Sequence, residues 1–172
     1  MGCKVRGIAA ACAAAAGLAG LAAAPVARAD DPSFITGGIG YFDINDDWDA
    51  AAFHLEYRSN AKLWFWKPFV GAMATSDEAL YGYGGFYVDL YFGRRIVLTP
   101  NVAVGLYRDG DGKDLGHTIE FRSGLELAYR FDNRARLGVA IHHISNASLG
   151  DSNPGTEIVG LYFSWPLGAA GD

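Results

Sequence analysis

From Thr118 to Phe131 the chain alternates between two chemistries. Ile119, Phe121, Leu125, Leu127, Tyr129 and Phe131 share one parity, while Thr118, Glu120, Arg122, Gly124, Glu126, Ala128 and Arg130 share the other. Residues two apart lie on the same face of an extended strand, so this segment is a strand that is apolar on one side and carries four charges on the other. Residues 96–107 repeat the split, with Ile96, Leu98, Pro100, Val102, Val104 and Leu106 opposite Val97, Thr99, Asn101, Ala103, Gly105 and Tyr107. A soluble sandwich with its apolar faces inward gives the same alternation. Three features favour a barrel turned inside out. The segments run about ten to fourteen residues, against about five or six for an ordinary strand. The apolar parity includes bulky aromatics, and the opposite parity is rich in Gly, Tyr and charges of both signs.

Eight such segments are expected, at about 33–44, 49–58, 63–74, 80–92, 95–107, 117–131, 134–147 and 157–167. An even count suits an eight-stranded antiparallel transmembrane β-barrel of the outer membrane. The first and third alternate least cleanly, and Pro68 lies inside the third, where a missing N–H weakens a ladder. With both termini on the periplasmic side, the short turns are Ser59-Asn60-Ala61-Lys62, Gly93-Arg94 and Asp132-Asn133, and the longest outer loops are 108–116 and 148–156. A barrel this narrow is filled by its own side chains, which argues against transport. The inward set, with Glu56, Arg58, Asp89, Glu120, Arg122, Glu126, Arg130 and Arg136, is expected to neutralise itself in pairs.

Residues 1–29 read as a secretory leader: Lys4 and Arg6, an Ala-rich run to about Ala24, and Ala27-Arg28-Ala29 as the cleavage pattern. The alternative, an uncleaved anchor, is disfavoured because the run is mostly Ala and ends in small residues. Both cysteines, Cys3 and Cys12, lie in this leader, so residues 30–172 have no thiol for a disulfide or a Cys-ligated metal. The formal charge is -5 for the whole chain. Eleven basic residues against nineteen acidic remain after cleavage, a balance of -8. A hydrophobic content of 51% and a charged content of 19% exclude a disordered chain, and the acidic balance argues against a nucleic-acid partner.

On the seventh segment the apolar parity runs Leu137, Val139, Ile141 and then continues into His143 and Ser145. On the eighth it runs Val159, Leu161, Phe163, Trp165 and Leu167, and traced backward it reaches Glu157. All three polar residues therefore fall on the membrane-facing surface near the outer rim of one hairpin, within residues 134–167. Same-face neighbours on a strand are about 6.6–6.8 Å apart at Cα, within reach for an imidazole and a hydroxyl. A serine nucleophile needs a base to take its proton and a carboxylate to hold that base in the right tautomer, and all three residue types are present. Rim residues meeting lipid headgroups would look the same by composition.

The run His143-Ile144-Ser145-Asn146-Ala147, followed by Asn153-Pro154-Gly155, Glu157 and the ending Trp165-Pro166-Leu167, resembles the lipid A 3-O-deacylase (PagL-type) family of outer-membrane barrels. The H-x-S-N-A run and the fourteen-residue spacing from His143 to Glu157 match the family's pattern. The resemblance implies Ser145 as nucleophile, His143 as base and Glu157 as its orienting partner. It also implies hydrolysis of the ester-linked 3-hydroxyacyl chain at position 3 of lipid A, with lipopolysaccharide as substrate and no cofactor or metal. Asn146 and Asn153 resemble the family's loop asparagines, which suggests oxyanion or substrate-binding roles. The family often carries Gly where this chain has Ser148, whose N–H is a third candidate with less backbone freedom.

Other signals are weaker. Asp109-Gly110-Asp111-Gly112-Lys113-Asp114 is similar to a calcium loop, but its later positions already enter the sixth strand. His142 is expected to point inward as a hydrogen-bond partner, and His54 and His117 have no evident partner. A non-catalytic structural or adhesive barrel and a phospholipase-like esterase are the competing functional readings, and a homodimer is left open as an assembly.

Overall fold

The structure, a computed structural model, describes residues 26–28, 31–45 and 49–168. Eight antiparallel strands form one closed ring: β1 (Ser33–Phe42), β2 (Ala50–Arg58), β3 (Lys67–Thr75), β4 (Leu80–Tyr87), β5 (Ile96–Arg108), β6 (Ile119–Arg130), β7 (Arg136–Ser145) and β8 (Thr156–Leu167). Each strand pairs with its sequence neighbours, and β8 closes on β1 through Ile158↔Phe42 to Leu167↔Ser33. Closure leaves no free sheet edge, so the strands satisfy their backbone N–H and C=O groups by pairing with one another. A separate pairing joins Val26–Arg28 to Ala61–Leu63. Residues 26–28 fall in the expected leader, whose remaining residues, with Cys3 and Cys12, lie outside those described.

β4 stops at Tyr87, yet its register continues through Leu90–Phe92, which pairs with the same stretch of β5. The interruption lies opposite Pro100, which lacks the N–H that would bond back across the ladder. Its carbonyl still accepts from Val88 N at 3.1 Å. The expected fourth segment, 80–92, is thus one strand with a single missing ladder bond.

The third strand departs from expectation. It begins at Lys67 rather than near 63, because Leu63 and Trp66 bond to each other across a tight turn (Leu63 N to Trp66 O 2.8 Å, Trp66 N to Leu63 O 3.2 Å). Trp64 takes a left-handed φ of 64° at its tip. The connection after β2 is therefore longer than the four residues expected. The turns after Phe92 and Phe131 are short, with Gly93 at φ 68° and Arg134 at φ 67°.

The polarity of the molecule is inverted. Ile39, Phe53, Leu55, Val70, Leu106, Val139 and Leu161 stand exposed around the wall, while Arg122, Arg136, Glu56 and Glu126 are buried inside. Tyr57, Tyr91, Tyr129 and Trp165 are exposed toward the short-turn end, the placement expected of a lipid-interface belt. Within the lumen Arg58 bridges Glu56 (2.9 Å) and Glu126 (2.7 Å), and Arg122 bonds Glu56 at 2.9 Å. Nearer the turns, Arg136 bridges Asp89 (2.7 Å) and Asp31 (2.9 Å), Arg130 reaches Asp31 at 2.8 Å, and Lys67 bonds Asp89. Glu120 is the exception to the expected pairing: it is buried and its carboxylate accepts no hydrogen bond among the described residues. His142 does point inward, but it meets the rings of His54 and Tyr162 at 6.0 and 5.4 Å rather than forming a hydrogen bond.

Candidate active site

The β7–β8 register explains how the polar residues of the outer wall meet. Val139 faces Leu161, Ile141 faces Val159, and His143 then faces Glu157 as a direct cross-strand pair. His143 Nδ1 lies 2.9 Å from Glu157 Oε1. A carboxylate can only accept here, so the bond assigns the proton to Nδ1 and leaves Nε2 as the ring's acceptor. The side chains are 48% and 28% exposed, on the same wall as Ile141 and Val159.

Ser145 is the last residue of β7, two beyond His143 on the same face, half-buried and paired in register with Phe121. Its hydroxyl is not hydrogen-bonded to the imidazole. In serine hydrolases in general, the serine–histidine bond is commonly long before substrate is bound and tightens afterward.

Glu157 is held from three directions. Its Oε2 accepts from Asn45 Nδ2 at 2.7 Å, and its backbone carbonyl accepts from Asp43 N (2.8 Å) and Ile44 N (3.3 Å). Asp43 itself is buried, with φ 65°, and its Oδ1 accepts from Lys113 Nζ (2.7 Å) and Thr156 Oγ1 (2.9 Å). The 109–118 loop is thereby tied to the base of β8. Among the described residues no three His, Cys, Asp or Glu side chains converge to hold a metal ion.

The loop after β7 is organised by Asn146. It is fully buried, and its Nδ2 donates to Leu115 O and Ser152 O, both at 2.8 Å. Its Oδ1 accepts from Ser148 N at 2.8 Å, and its own N donates to Asn153 Oδ1 at 3.0 Å. The side-chain N–H groups of Asn146 and the backbone N–H of Ser148 are therefore already spent on the loop. Asn153 is exposed, and its amide nitrogen donates to no carbonyl among the described residues. Ala147 and Ser148 both have left-handed backbones, at φ 52° and 65°. Such a backbone costs an L-residue about 1–2 kcal/mol, whereas Gly adopts it freely. Ser148→Gly is thus expected to stabilise the protein by about 1 kcal/mol, read as a raised unfolding temperature in detergent.

Two contributors were not found by reading the sequence. Asn45 arrives through the β8–β1 closure from more than a hundred residues away, with no local motif to flag it. Gly155, within a segment read as a turn, lies directly over the site: at φ 66°, a Cβ there would stand 3.2 Å from His143 Cε1 and 3.7 Å from Ser145 Cβ. His117 proves local, accepting from Ile119 N at 2.9 Å, while His54 is a lumen residue against His142 and Tyr162.

Known proteins resemble this chain along its barrel. A crystal structure of the outer membrane enzyme PagL superposes with a TM-score of 0.60 at 17% identity, over 78% of this chain and 99% of that one. A de novo designed transmembrane β-barrel superposes at 0.57 and 12% identity, over 82% and 100%. At such identities these likenesses speak for the fold, which is that of an outer-membrane barrel. No curated protein sequence matches the chain. The model of the family described as lipid A 3-O-deacylase (PagL) matches residues 35–166, nearly the entire barrel. The chain belongs to the lipid A 3-O-deacylase (PagL) family, whose members deacylate lipid A in the outer membrane.

Proposed function

We propose that this protein is a serine esterase that cleaves the ester-linked 3-hydroxyacyl chain at position 3 of lipid A, with Ser145, His143 and Glu157 as its triad. The observation that carries the reading is the 2.9 Å bond from His143 to Glu157 on the apolar outer wall, with Ser145 on the same face. Lipopolysaccharide fills the outer leaflet, so a site on the outside of the barrel near its long loops meets the acyl ester without drawing it out of the membrane. In this reading residues 1–29 direct export and residues 30–172 form the mature barrel, its long loops facing outward.

His143 Nε2 takes the proton of Ser145 as Oγ attacks the ester carbonyl. Glu157 stabilises the imidazolium that forms. Collapse of the tetrahedral intermediate releases the sugar hydroxyl, protonated by His143, and leaves an acyl-serine. Water, deprotonated by the same imidazole, then frees the 3-hydroxy fatty acid. For the oxyanion we assign the Asn153 amide, since Asn146 and Ser148 hold the loop with the groups they would otherwise offer.

Mass spectrometry of lipid A from cells with and without the protein tests the assignment. Expression is expected to remove one hydroxyacyl mass and to leave glycerophospholipids intact. Unaltered lipid A beside correctly inserted protein would overturn it, and lysophospholipid in its place would point to a phospholipase. Gly155→Ala probes the same site. Its Cβ would press on the imidazole in a backbone region that Ala disfavours, so deacylation is expected to fall at least tenfold while the barrel still folds.

A further inference from the structure

We propose that Asn45 is a positioning residue that fixes the Glu157 carboxylate so that it can hold His143. The inference rests on the Ser145–His143–Glu157 reading. Glu157 stands partly exposed at the end of a strand on a side chain with three rotatable bonds, and one hydrogen bond to His143 leaves it free to swing toward water. Asn45 Nδ2 takes the second oxygen at 2.7 Å, so the carboxylate is gripped at both ends, with His143 on Oε1 and Asn45 on Oε2. A hydrogen bond to an ionised acceptor is stronger than a neutral one and adds direction.

The loop that carries Asn45 is itself anchored at Glu157. Asp43 N and Ile44 N donate to the Glu157 carbonyl, and the buried Asp43 carboxylate joins Lys113 to Thr156, the residue immediately before Glu157. Asn45 is thus two residues from a node whose position is set by the strand bearing the triad acid. Its chemistry is also selective. The segment 43–49 carries four aspartates, yet the position facing Glu157 holds a neutral amide that can donate. An aspartate there would set two carboxylates against each other.

The test measures kcat and KM for lipid A deacylation in detergent micelles by the full-length protein, its Asn45→Ala, Asn45→Asp and Glu157→Gln variants, and the Asn45→Ala/Glu157→Gln double variant. Folding is checked by the shift in gel mobility between unheated and boiled samples. Removing a residue that orients a metal-ligating side chain costs about 10–100-fold, and the same scale is taken for one that orients a carboxylate. Asn45→Ala is expected to lower kcat in that range with KM within about twofold, and Asn45→Asp is expected to lower it further. In the Glu157→Gln background, Asn45→Ala is expected to change kcat less than about twofold, because its effect runs through the carboxylate that is gone. A general structural role for the loop would instead multiply the two losses, and that outcome overturns the proposal. So does an unchanged kcat for Asn45→Ala where Glu157→Gln is inactive. Full activity in Glu157→Gln overturns the triad reading along with it. Asn45→Asp is isosteric and keeps the test open should the alanine variant fail to fold.

Discussion

Ser145→Ala is expected to stop deacylation while leaving a folded, inserted barrel. In the proposed mechanism Ser145 Oγ forms the acyl intermediate, and the substitution removes that atom. In enzymes that use a serine nucleophile, such removal lowers turnover on the order of 10⁴-fold or more. His143→Ala is expected to cost about as much, and the double variant no more than either alone, because the two act as one unit. Stability is expected to change by no more than about 0.5 kcal/mol. Ser145 ends β7, is only half-buried, and its hydroxyl makes no hydrogen bond among the described residues. Lipid A mass spectrometry reads the activity, and heat-dependent gel mobility reads the fold. Continued loss of the hydroxyacyl chain in cells carrying folded Ser145→Ala would exclude the proposed nucleophile.

Parity made most of this molecule legible. A period of two places every second side chain on the wall, so Leu137, Val139 and Ile141 lead to His143 without knowledge of the register. The direct pairing of His143 with Glu157 needed more, because it depends on the length of the intervening loop and on the β7–β8 hydrogen bonds. The start of β3 was illegible for a local reason. Trp64-Phe65-Trp66 has the composition of a strand, yet Trp64 takes a left-handed φ at 78% exposure, in a turn with none of the Gly, Asn or Pro that normally mark one. The loop asparagines show another limit. Residue type says that an amide can donate, but Asn146 spends both N–H groups on Leu115 O and Ser152 O, and only coordinates reveal that. Asn45 marks the furthest limit, since the closure of β8 on β1 creates its contact and no spacing encodes it.

Glu56→Ala is expected to be strongly destabilising, at about 3–5 kcal/mol, the usual cost of stripping one partner from a buried ion pair. Glu56 joins two cations. Its Oε1 accepts from Arg122 Nη2 and Tyr83 OH, both at 2.9 Å, and its Oε2 accepts from Arg58 Nε at 2.9 Å. Gly71 makes the room, since a Cβ there would lie 2.9 Å from Glu56 Cγ. Without Glu56, Arg58 keeps Glu126, but among the described residues Arg122 retains only Asn101 Oδ1 at 3.2 Å and the Tyr83 and Phe69 rings at 4.2 and 5.3 Å. A buried guanidinium then has no anion. Glu126→Ala is expected to cost less, because Arg58 still has Glu56. The order of these two losses separates a shared network from independent pairs, and denaturant titration of the refolded barrel measures it. A Glu56→Ala barrel as stable as the wild type, or one more stable than Glu126→Ala, would refute the network. The consequence reaches the active site through the sheet. Arg122 faces Ile144 across the β6–β7 ladder, one residue from the Phe121–Ser145 pair, so the lumen network sits directly behind the wall that carries Ser145. Below its lowered melting temperature the Glu56→Ala protein is therefore expected to deacylate lipid A, and to lose activity on warming together with its fold.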